Sequence, residues 1–172
     1  MSDPRSDIKA QIEAMKAKLE ARRTGAHSGI YNAVTKACLL VESEAKELIT
    51  ESPASGRVYY RGKHHDIEHR ASAPGEAPAV DAGMLRRSIT HDISQDGAQV
   101  VGRVGSTITD PPYGSYLEYG TSKMAARPWL GPAIEKNKDR IRQLLIDGIA
   151  GRDVSVGVEG ATAGMGVSDA SD

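Results

Sequence analysis

The chain has 172 residues, of which 39% are hydrophobic, and a formal net charge of −1. The length and the hydrophobic content predict one domain with tails. The near-zero net charge argues against nucleic-acid binding across the whole surface of the protein. Because the sequence has no Phe and only one Trp, aliphatic side chains are expected to form most of the core.

Cys38 is the only cysteine, which excludes an internal disulfide. Its position in a helical pattern beside two leucines predicts a small buried thiol rather than a nucleophile. The N-terminal residues lack an apolar signal region, and no run approaches the roughly 18 apolar residues of a membrane span. We therefore expect a soluble protein that is made in the cytoplasm and has no membrane partner.

The first part of the chain predicts two helices. Asp7 is expected to cap a charged helix or arm over residues 1–25, and Thr24 with Gly25 is expected to end it. Its apolar residues lie on one face: Ile8, Ile12, Met15 and Leu19. A longer helix follows and ends near Glu51. Its apolar residues recur at three- and four-residue steps: Ile30, Val34, Ala37, Val41, Ala45 and Leu48.

The middle of the chain predicts a long polar loop and then a hairpin. Residues 54–80 form the loop, in which Val58-Tyr59-Tyr60 is a short strand candidate. Asp81 is expected to cap a single helical turn. Two strands over residues 88–93 and 99–105 then form an antiparallel hairpin, joined by a connection over residues 94–98 in which Gly97 supplies the turn.

The last part predicts a short helix, a longer helix and a tail. Residues 113–119 form a helix or turn that ends at Gly120, and the final helix begins at Pro128 or Pro132. Its apolar stripe consists of Ile134, Ile141, Leu145 and Ile149. The glycine-rich tail over residues 151–172 has one Arg against three Asp and one Glu, and it buries too little apolar surface to order alone.

Together these elements predict an α+β fold. A small antiparallel sheet packs against the long helix of the N-terminal half and against the C-terminal helix, and residues 26–150 make a single domain.

The stretch KHHDIEH suggests a metal site as one alternative. His64, His65 and His69 supply imidazoles, and the last two share a face if the stretch is helical. The stretch lies in a predicted loop, has no HExxH pattern and lacks an obvious fourth ligand, so a metal-dependent enzyme is the least favoured function. No metal and no cofactor are expected.

Basic residues around the same stretch suggest a contact surface. They are Arg57, Arg61, Lys63 and Arg70. Against Asp66 and Glu68 they leave a charge of +2, which suits either a DNA phosphate backbone or an acidic neighbouring subunit. The neighbouring subunit is the favoured partner, and a DNA-contacting accessory protein is the second hypothesis.

Complete catalytic motifs are absent from the sequence. No serine lies in a GxSxG elbow, and neither a dinucleotide loop nor a GxxxxGK[ST] phosphate loop occurs. Glu118 is expected to accept hydrogen bonds from backbone amides or from an arginine such as Arg127. Trp129 is expected to wedge the last helix against the sheet, with a role in an interface as the alternative.

Three segments occur in an order that is informative as a set: SAPGEAPAVDAGMLRRSI (residues 72–89), YGSYLEYGT (113–121) and ARPWLGPAIE (126–135). They resemble the head-to-tail connection family of tailed bacteriophages, which includes tail completion, neck and minor tail components. The family shows a similar series of G-x-L-R-x-S-I, Y-x-x-x-x-E-x-G-T and R-P-F/W-L-x-P-A. The matching positions are Gly83, Leu85, Arg86, Ser88, Ile89, Tyr116, Glu118, Gly120, Thr121, Arg127, Pro128, Trp129, Leu130, Pro132 and Ala133.

The resemblance implies a structural virion protein without catalytic activity. Such a protomer forms a ring with copies of itself, as a hexamer or dodecamer, where the portal-connector complex meets the tail, and double-stranded DNA passes through. It implies neck, connector and tail-tube proteins as partners, and assembly in the host cytoplasm. The matching positions are carried over as determinants of fold and assembly. The chain departs from the pattern at Ala82 and Met84 and in its acidic tail.

Overall fold

The structure is a computed structural model that describes residues 4–64, 66–97 and 99–152, without the side chains of residues 4–10 and Arg61. Its elements are α1 (Pro4–Thr50), β1 (Val58–Arg61), β2 (Ile67–Arg70), α2 (Met84–Ser88), β3 (Ile89–Asp96), β4 (Gln99–Ser106), α3 (Tyr113–Tyr119) and α4 (Leu130–Ile149). The predicted α+β fold is confirmed. The tail beyond Arg152 lies outside the described residues.

Helix α1 is continuous, so the predicted break at Thr24 and Gly25 is wrong. The Thr24 hydroxyl donates to the Glu20 carbonyl at 3.0 Å, and the Ser28 hydroxyl donates to the Gly25 carbonyl at 3.1 Å. Such bonds satisfy the hydroxyls within the helix at a slight cost in helix stability, and one glycine costs only about 1 kcal/mol of helix propensity. At about 1.5 Å per residue, α1 is roughly 70 Å long.

Helix α4 packs antiparallel against the second half of α1. Glu44 of α1 contacts Lys136 near the start of α4, and Gly29 contacts Gly148 near its end. The two backbones approach so closely that a Cβ at Gly29 would lie 2.4 Å from the Gly148 carbonyl oxygen. Small residues therefore set the distance between the two helices.

The predicted apolar stripe of α4 is only half right. Ile134 and Ile149 are exposed, and Ile141 and Leu145 are half-buried. The residues that α4 buries fully are Ala133, Leu144 and Gly148. Large side chains do not mark the buried face here, because glycine and alanine form the closest contact with α1. The helix begins at Leu130, two residues from either predicted proline, and Pro132 lies in its first turn.

The predicted hairpin is β3 with β4. Its register runs from Ile89 opposite Ser106 to Asp96 opposite Gln99, so residues 97–98 alone connect the strands and the predicted connection was too long. Gly97 has φ of 55° and provides the left-handed turn conformation.

A second hairpin occupies part of the predicted loop. Strands β1 and β2 pair antiparallel from Val58 opposite Arg70 to Arg61 opposite Ile67. The strand candidate at Val58-Tyr59-Tyr60 is thereby confirmed, and the predicted loop over residues 54–80 contains a second strand that was not predicted. The partner strand, IEHR, is mostly charged and gave no strand signal of its own.

The core lies where α1, α4 and the β3–β4 hairpin meet the two short helices. Its main cluster consists of Val41, Ala45, Ile49, Leu85, Ile89, Leu117, Trp129 and Ala133. Cys38 is buried beside this cluster, as predicted, and burial together with the charge of Glu42 raises the pKa of its thiol.

Candidate assembly surface

The three segments that resemble the phage family meet at one place in the fold. The first contributes α2, the second α3 and the third the start of α4, and each places side chains in the same core cluster. Trp129 lies at the centre with only 3% of its surface exposed, and its indole nitrogen donates to the Gly114 carbonyl at 3.1 Å. Within the described monomer Trp129 is a core residue, as predicted.

Glu118 connects α3 to the start of α4. One oxygen of its carboxylate accepts hydrogen bonds from the amides of Trp129 and Leu130 at 2.8 and 2.9 Å, and the other accepts from the Gly131 amide at 2.8 Å. These amides belong to the first turn of the helix, where they have no partner within the helix and where negative charge is favoured. Of the two predicted partners, the backbone amides are confirmed.

Arg127 donates to backbone carbonyls rather than to Glu118, which the sequence suggested as its partner. Its Nε donates to the Ser72 carbonyl at 3.0 Å, and its terminal nitrogen donates to the Ala125 carbonyl at 3.3 Å. Arg127 thereby ties the segment before α4 to the segment that follows β2. We call the place where α2, α3 and the start of α4 meet the joint. Glu118 and Arg127 stabilise the joint through separate contacts.

Small residues in the turns beside α3 and α2 complete the joint. Gly120 has φ of 76°, and a Cβ there would lie 2.8 Å from the Met124 carbonyl oxygen, so only glycine fits where α3 ends. Thr121 pairs with Met124 in the turn that follows. The Ser88 hydroxyl donates to the Leu85 carbonyl at 2.7 Å and lies 2.8 Å from the Ser106 hydroxyl.

Helix α2 begins without the predicted cap. Gly83, with φ of 72°, precedes its first residue, and no side chain caps the helix. Asp81 lies farther back, with a carboxylate oxygen 3.8 Å from Nδ1 of His69. The turn is therefore shaped by the glycine rather than by a carboxylate.

An apolar groove opens beside the joint. It encloses about 370 Å³ between the segment before α2, the loop after β4 and α3, with Ile49 and Leu117 at its base. Its exposed rim includes Val80, Met84 and Tyr113. A second hollow adjoins it, shares Tyr113 and reaches Tyr59 of the β1–β2 hairpin.

Four exposed apolar or aromatic residues line these hollows, and together with Tyr116 we call them the tyrosine surface: Tyr59, Val80, Met84 and Tyr113. Tyr116 follows Tyr113 by three residues and lies on the same side of α3. Of these five, only Tyr116 belongs to the matching positions. The sequence provided one weak signal for the other four residues, because they are large apolar or aromatic residues that lie outside any periodic pattern.

The other exposed matching positions lie at the edge of the joint. Arg86 lines the groove, and Thr121 and Pro132 are exposed. The half-buried positions Pro128 and Leu130 flank Trp129.

The histidine stretch is not helical. His69 belongs to β2 and His64 lies in the turn between the strands, so the helical spacing proposed for His65 and His69 does not occur. His65 lies outside the described residues. Among the residues that the structure describes, no group of three or more potential ligands is positioned to hold a metal ion.

Arg57 and Arg70 do not share one face of the hairpin. Arg70 pairs with Val58, so strand alternation directs Arg57 to the opposite face of the hairpin from Arg70. The Arg57 guanidinium lies over the Tyr59 ring, 5.5 Å from its centroid. Lys63 is in the turn, and Arg61 ends β1.

Sequence reasoning missed a charged cluster on the other side of α1. Glu42 bonds to Lys46, and its carboxylate lies 2.6 Å from Nδ1 of His91 on β3. Burial raises the pKa of Glu42, but the bonds from Lys46 and His91 outweigh it and hold the pKa below its ordinary value. Glu42 and Lys46 are four residues apart on α1, but His91 is 49 residues from Glu42, and no local pattern indicates that it joins them.

The chain matches no protein-family model, no curated protein and no solved structure. Among the described helices, none is both long enough and apolar enough to cross a membrane.

Proposed function

We propose that this chain is a structural subunit of the head-tail junction of a tailed bacteriophage. Copies of the chain form a ring, hexameric or dodecameric, that joins the portal-connector complex to the tail and lets double-stranded DNA pass. The proposal starts from the three ordered segments that resemble the phage family. It gains support from their meeting in one joint, where the matching side chains pack, cap a helix and shape turns.

The observation that carries an assembly role is the distribution of the aromatic residues. All six tyrosines are at least 39% exposed, while the only tryptophan is buried. Tyrosine and methionine are enriched in protein interfaces, and a tyrosine ring buries a large area at a low entropic cost. The tyrosine surface combines both residue types with an apolar groove, which is typical of a surface that a neighbour covers.

The charges at the rim suit a contact between protein subunits. Arg86, Asp81 and Asp110 line the groove. A rim of both signs gives a contact its register and its specificity. A closed ring also needs two different surfaces on each copy, and the tyrosine surface supplies one of them.

Electron microscopy of particles that contain a tagged copy of the chain tests the location. We expect label or density in a ring between head and tail. Density in the capsid shell or at the tail tip would contradict the proposal, as would the absence of the chain from assembled particles.

A pair of substitutions tests the surface. Tyr113→Ser removes the aromatic group shared by both hollows and is expected to abolish incorporation into particles while leaving the melting temperature within a few degrees, since the side chain is exposed. Tyr31→Ser is the matched control, because Tyr31 is an exposed tyrosine on α1 that lines neither hollow. Equal incorporation of both variants would exclude the tyrosine surface as the contact.

A further inference from the structure

The first part of α1 extends beyond the packed part of the protein. Helix α4 ends beside Gly29, where Gly148 contacts it, and residues 11–25 of α1 are all exposed. At about 1.5 Å per residue, the stretch from Ile12 to Gly29 is about 26 Å long. The first part of α1 is therefore an arm that a neighbouring molecule can contact.

This arm carries an apolar face that nothing in the described part of the chain covers. Ile12, Met15 and Leu19 are 47%, 63% and 60% exposed, and we call these three residues the N-terminal stripe. They occupy positions i, i+3 and i+7 of the helix. This is the spacing by which an amphipathic helix anchors itself in an apolar groove of another molecule.

The apolar groove beside the joint lies at the other end of the same helix. Ile49 forms part of its base, and Leu19 precedes Ile49 by 30 residues along the continuous α1. This separation is about 45 Å, so the stripe cannot reach the groove of its own chain. A contact between the stripe and such a groove must therefore join two copies.

Basic residues flank the stripe. At about 100° per residue, Lys16, Arg22 and Arg23 lie within about 70° of the centre of the stripe, whereas Glu13 and Glu20 lie more than about 100° from it. Lys16 pairs with Glu13 at an exposed site. Two stripes that faced each other would bring basic flanks together, which disfavours a symmetric contact between stripes.

The charges of the groove are complementary to these flanks. Its charged lining residues are Asp81, Arg86 and Asp110, which leave a net charge of −1. The remaining lining is mainly apolar and encloses about 370 Å³, with Met84 exposed at the rim. The groove therefore offers an apolar base and an excess of carboxylates to a helix with an apolar stripe and basic flanks.

We propose that the N-terminal stripe of one copy of this chain docks into the apolar groove of the next copy. The inference rests on the proposed function, because it names the neighbour that covers the tyrosine surface. The contact joins two different surfaces, so each copy can donate its stripe to one neighbour and accept the stripe of another. Such a heterologous contact closes into a ring when the rotation between copies allows it.

Disulfide trapping in the purified full chain tests the contact. Met15→Cys with Met84→Cys places one thiol on the stripe and one at the groove, and both positions are exposed, so the fold should be retained. Mild oxidation is expected to link chains into dimers, trimers and larger species, because every copy carries both halves of the contact. Ala17→Cys with Met84→Cys is the matched control and is expected to give no such ladder, since Ala17 is exposed on the opposite side of α1 from the stripe.

The pattern of linked species decides between the contacts. Disulfide-linked dimers of Met15→Cys alone would overturn the proposal in favour of two stripes that pair symmetrically. No ladder from the Met15 pair, or an equal ladder from the Ala17 pair, would also overturn it. Cys38 is buried and is present in every variant, so wild type oxidised in parallel measures its contribution.

A third substitution tests whether the apolar stripe drives the contact. Leu19→Ser, added to the Met15 and Met84 cysteine pair, is expected to abolish most of the ladder. Leu39→Ser in the same background is the matched control, because Leu39 is an exposed leucine on the side of α1 opposite to the stripe. Equal loss in both variants would contradict a specific role of the stripe.

The location of the chain in particles is measured separately. A ring between head and tail, seen by electron microscopy, together with no ladder would overturn this inference and leave the proposed function intact. A ladder from a chain that lies elsewhere in the particle would contradict the proposed function and leave the contact between copies intact.

Discussion

Removing the carboxylate of Glu118 should destabilise the chain by detaching the start of α4 from α3. Its two oxygens accept three backbone hydrogen bonds at 2.8, 2.9 and 2.8 Å. The loss of a helix cap costs about 0.5–2 kcal/mol, and a hydrogen bond to a charged group contributes about 1.5–3 kcal/mol. Because the site is half-buried, water replaces part of what is lost. We expect Glu118→Ala to lower the free energy of unfolding by about 2–3 kcal/mol.

Glu118→Gln separates shape from charge. The glutamine keeps one carbonyl oxygen, but its amide group then faces either the Gly131 N–H or the pair of N–H groups at Trp129 and Leu130. Two donors oppose each other in both orientations, so we expect a loss of about 1–2 kcal/mol.

Thermal and urea unfolding measure both variants. For a chain of this size, about 1 kcal/mol corresponds to about 2–4 °C in melting temperature. Glu135→Gln is the matched control, because Glu135 is an exposed glutamate of α4 whose partner among the described residues is Lys138. Its effect should stay within about 0.5 kcal/mol. If Glu118→Ala and Glu135→Gln unfold at the same temperature, the capping role of Glu118 is refuted.

Four further substitutions test the fold. Gly25→Ala should stabilise the chain by about 0.5–1 kcal/mol, because a Cβ at this position meets nothing within 4 Å. Gly29→Ala should destabilise the chain by about 1–3 kcal/mol, because the added Cβ clashes with Gly148. If urea unfolding gives both substitutions the same sign, the continuous α1 and its contact with α4 are contradicted. Trp129→Ala should cost about 3–5 kcal/mol, and an unchanged melting temperature with failed assembly would make Trp129 an interface residue instead. The ionised Glu42 carboxylate stabilises the fold at pH values above its ordinary pKa of 4.5, and this stabilisation is lost as the pH falls through the lowered pKa. The stability difference between wild type and Glu42→Gln should therefore be constant at higher pH and shrink below about pH 4.5. A difference that grows on acidification would contradict the lowered pKa.

The fold was largely predictable because its main elements have strong local patterns. The β3–β4 hairpin alternates polar and apolar residues around a glycine turn, and the second half of α1 repeats its apolar residues at helical steps. The prediction failed where tertiary contacts override local signals. Gly25 suggested a break, yet the helix continues through it, and Gly148 lies at the closest helix contact although it carries no side chain that a hydrophobic pattern registers.

The packing and capping residues of the candidate site were predictable from the sequence, but its exposed surface was not. Trp129 and Glu118 carry distinctive chemistry within a short segment, so their packing and capping roles followed from residue type. The tyrosine surface instead brings Tyr59 together with Met84 and Tyr113, from three separate elements. No spacing in the sequence encodes that proximity, because it depends on where the fold places the β1–β2 hairpin relative to α3.

The division between the joint and its surface has a consequence for how assembly is specified. Most matching positions face inward or bond to backbone, so they preserve the relative placement of α2, α3 and α4 without contacting a partner themselves. Tyr113 and Met84 sit on the elements that this joint fixes, and their side chains can change without disturbing Trp129 or the Glu118 cap. A resemblance confined to the joint therefore supports a shared protomer architecture more strongly than shared partners. Under the proposed function, the identity of the neighbouring subunit is determined by the tyrosine surface, while the joint holds that surface rigid enough to be recognised.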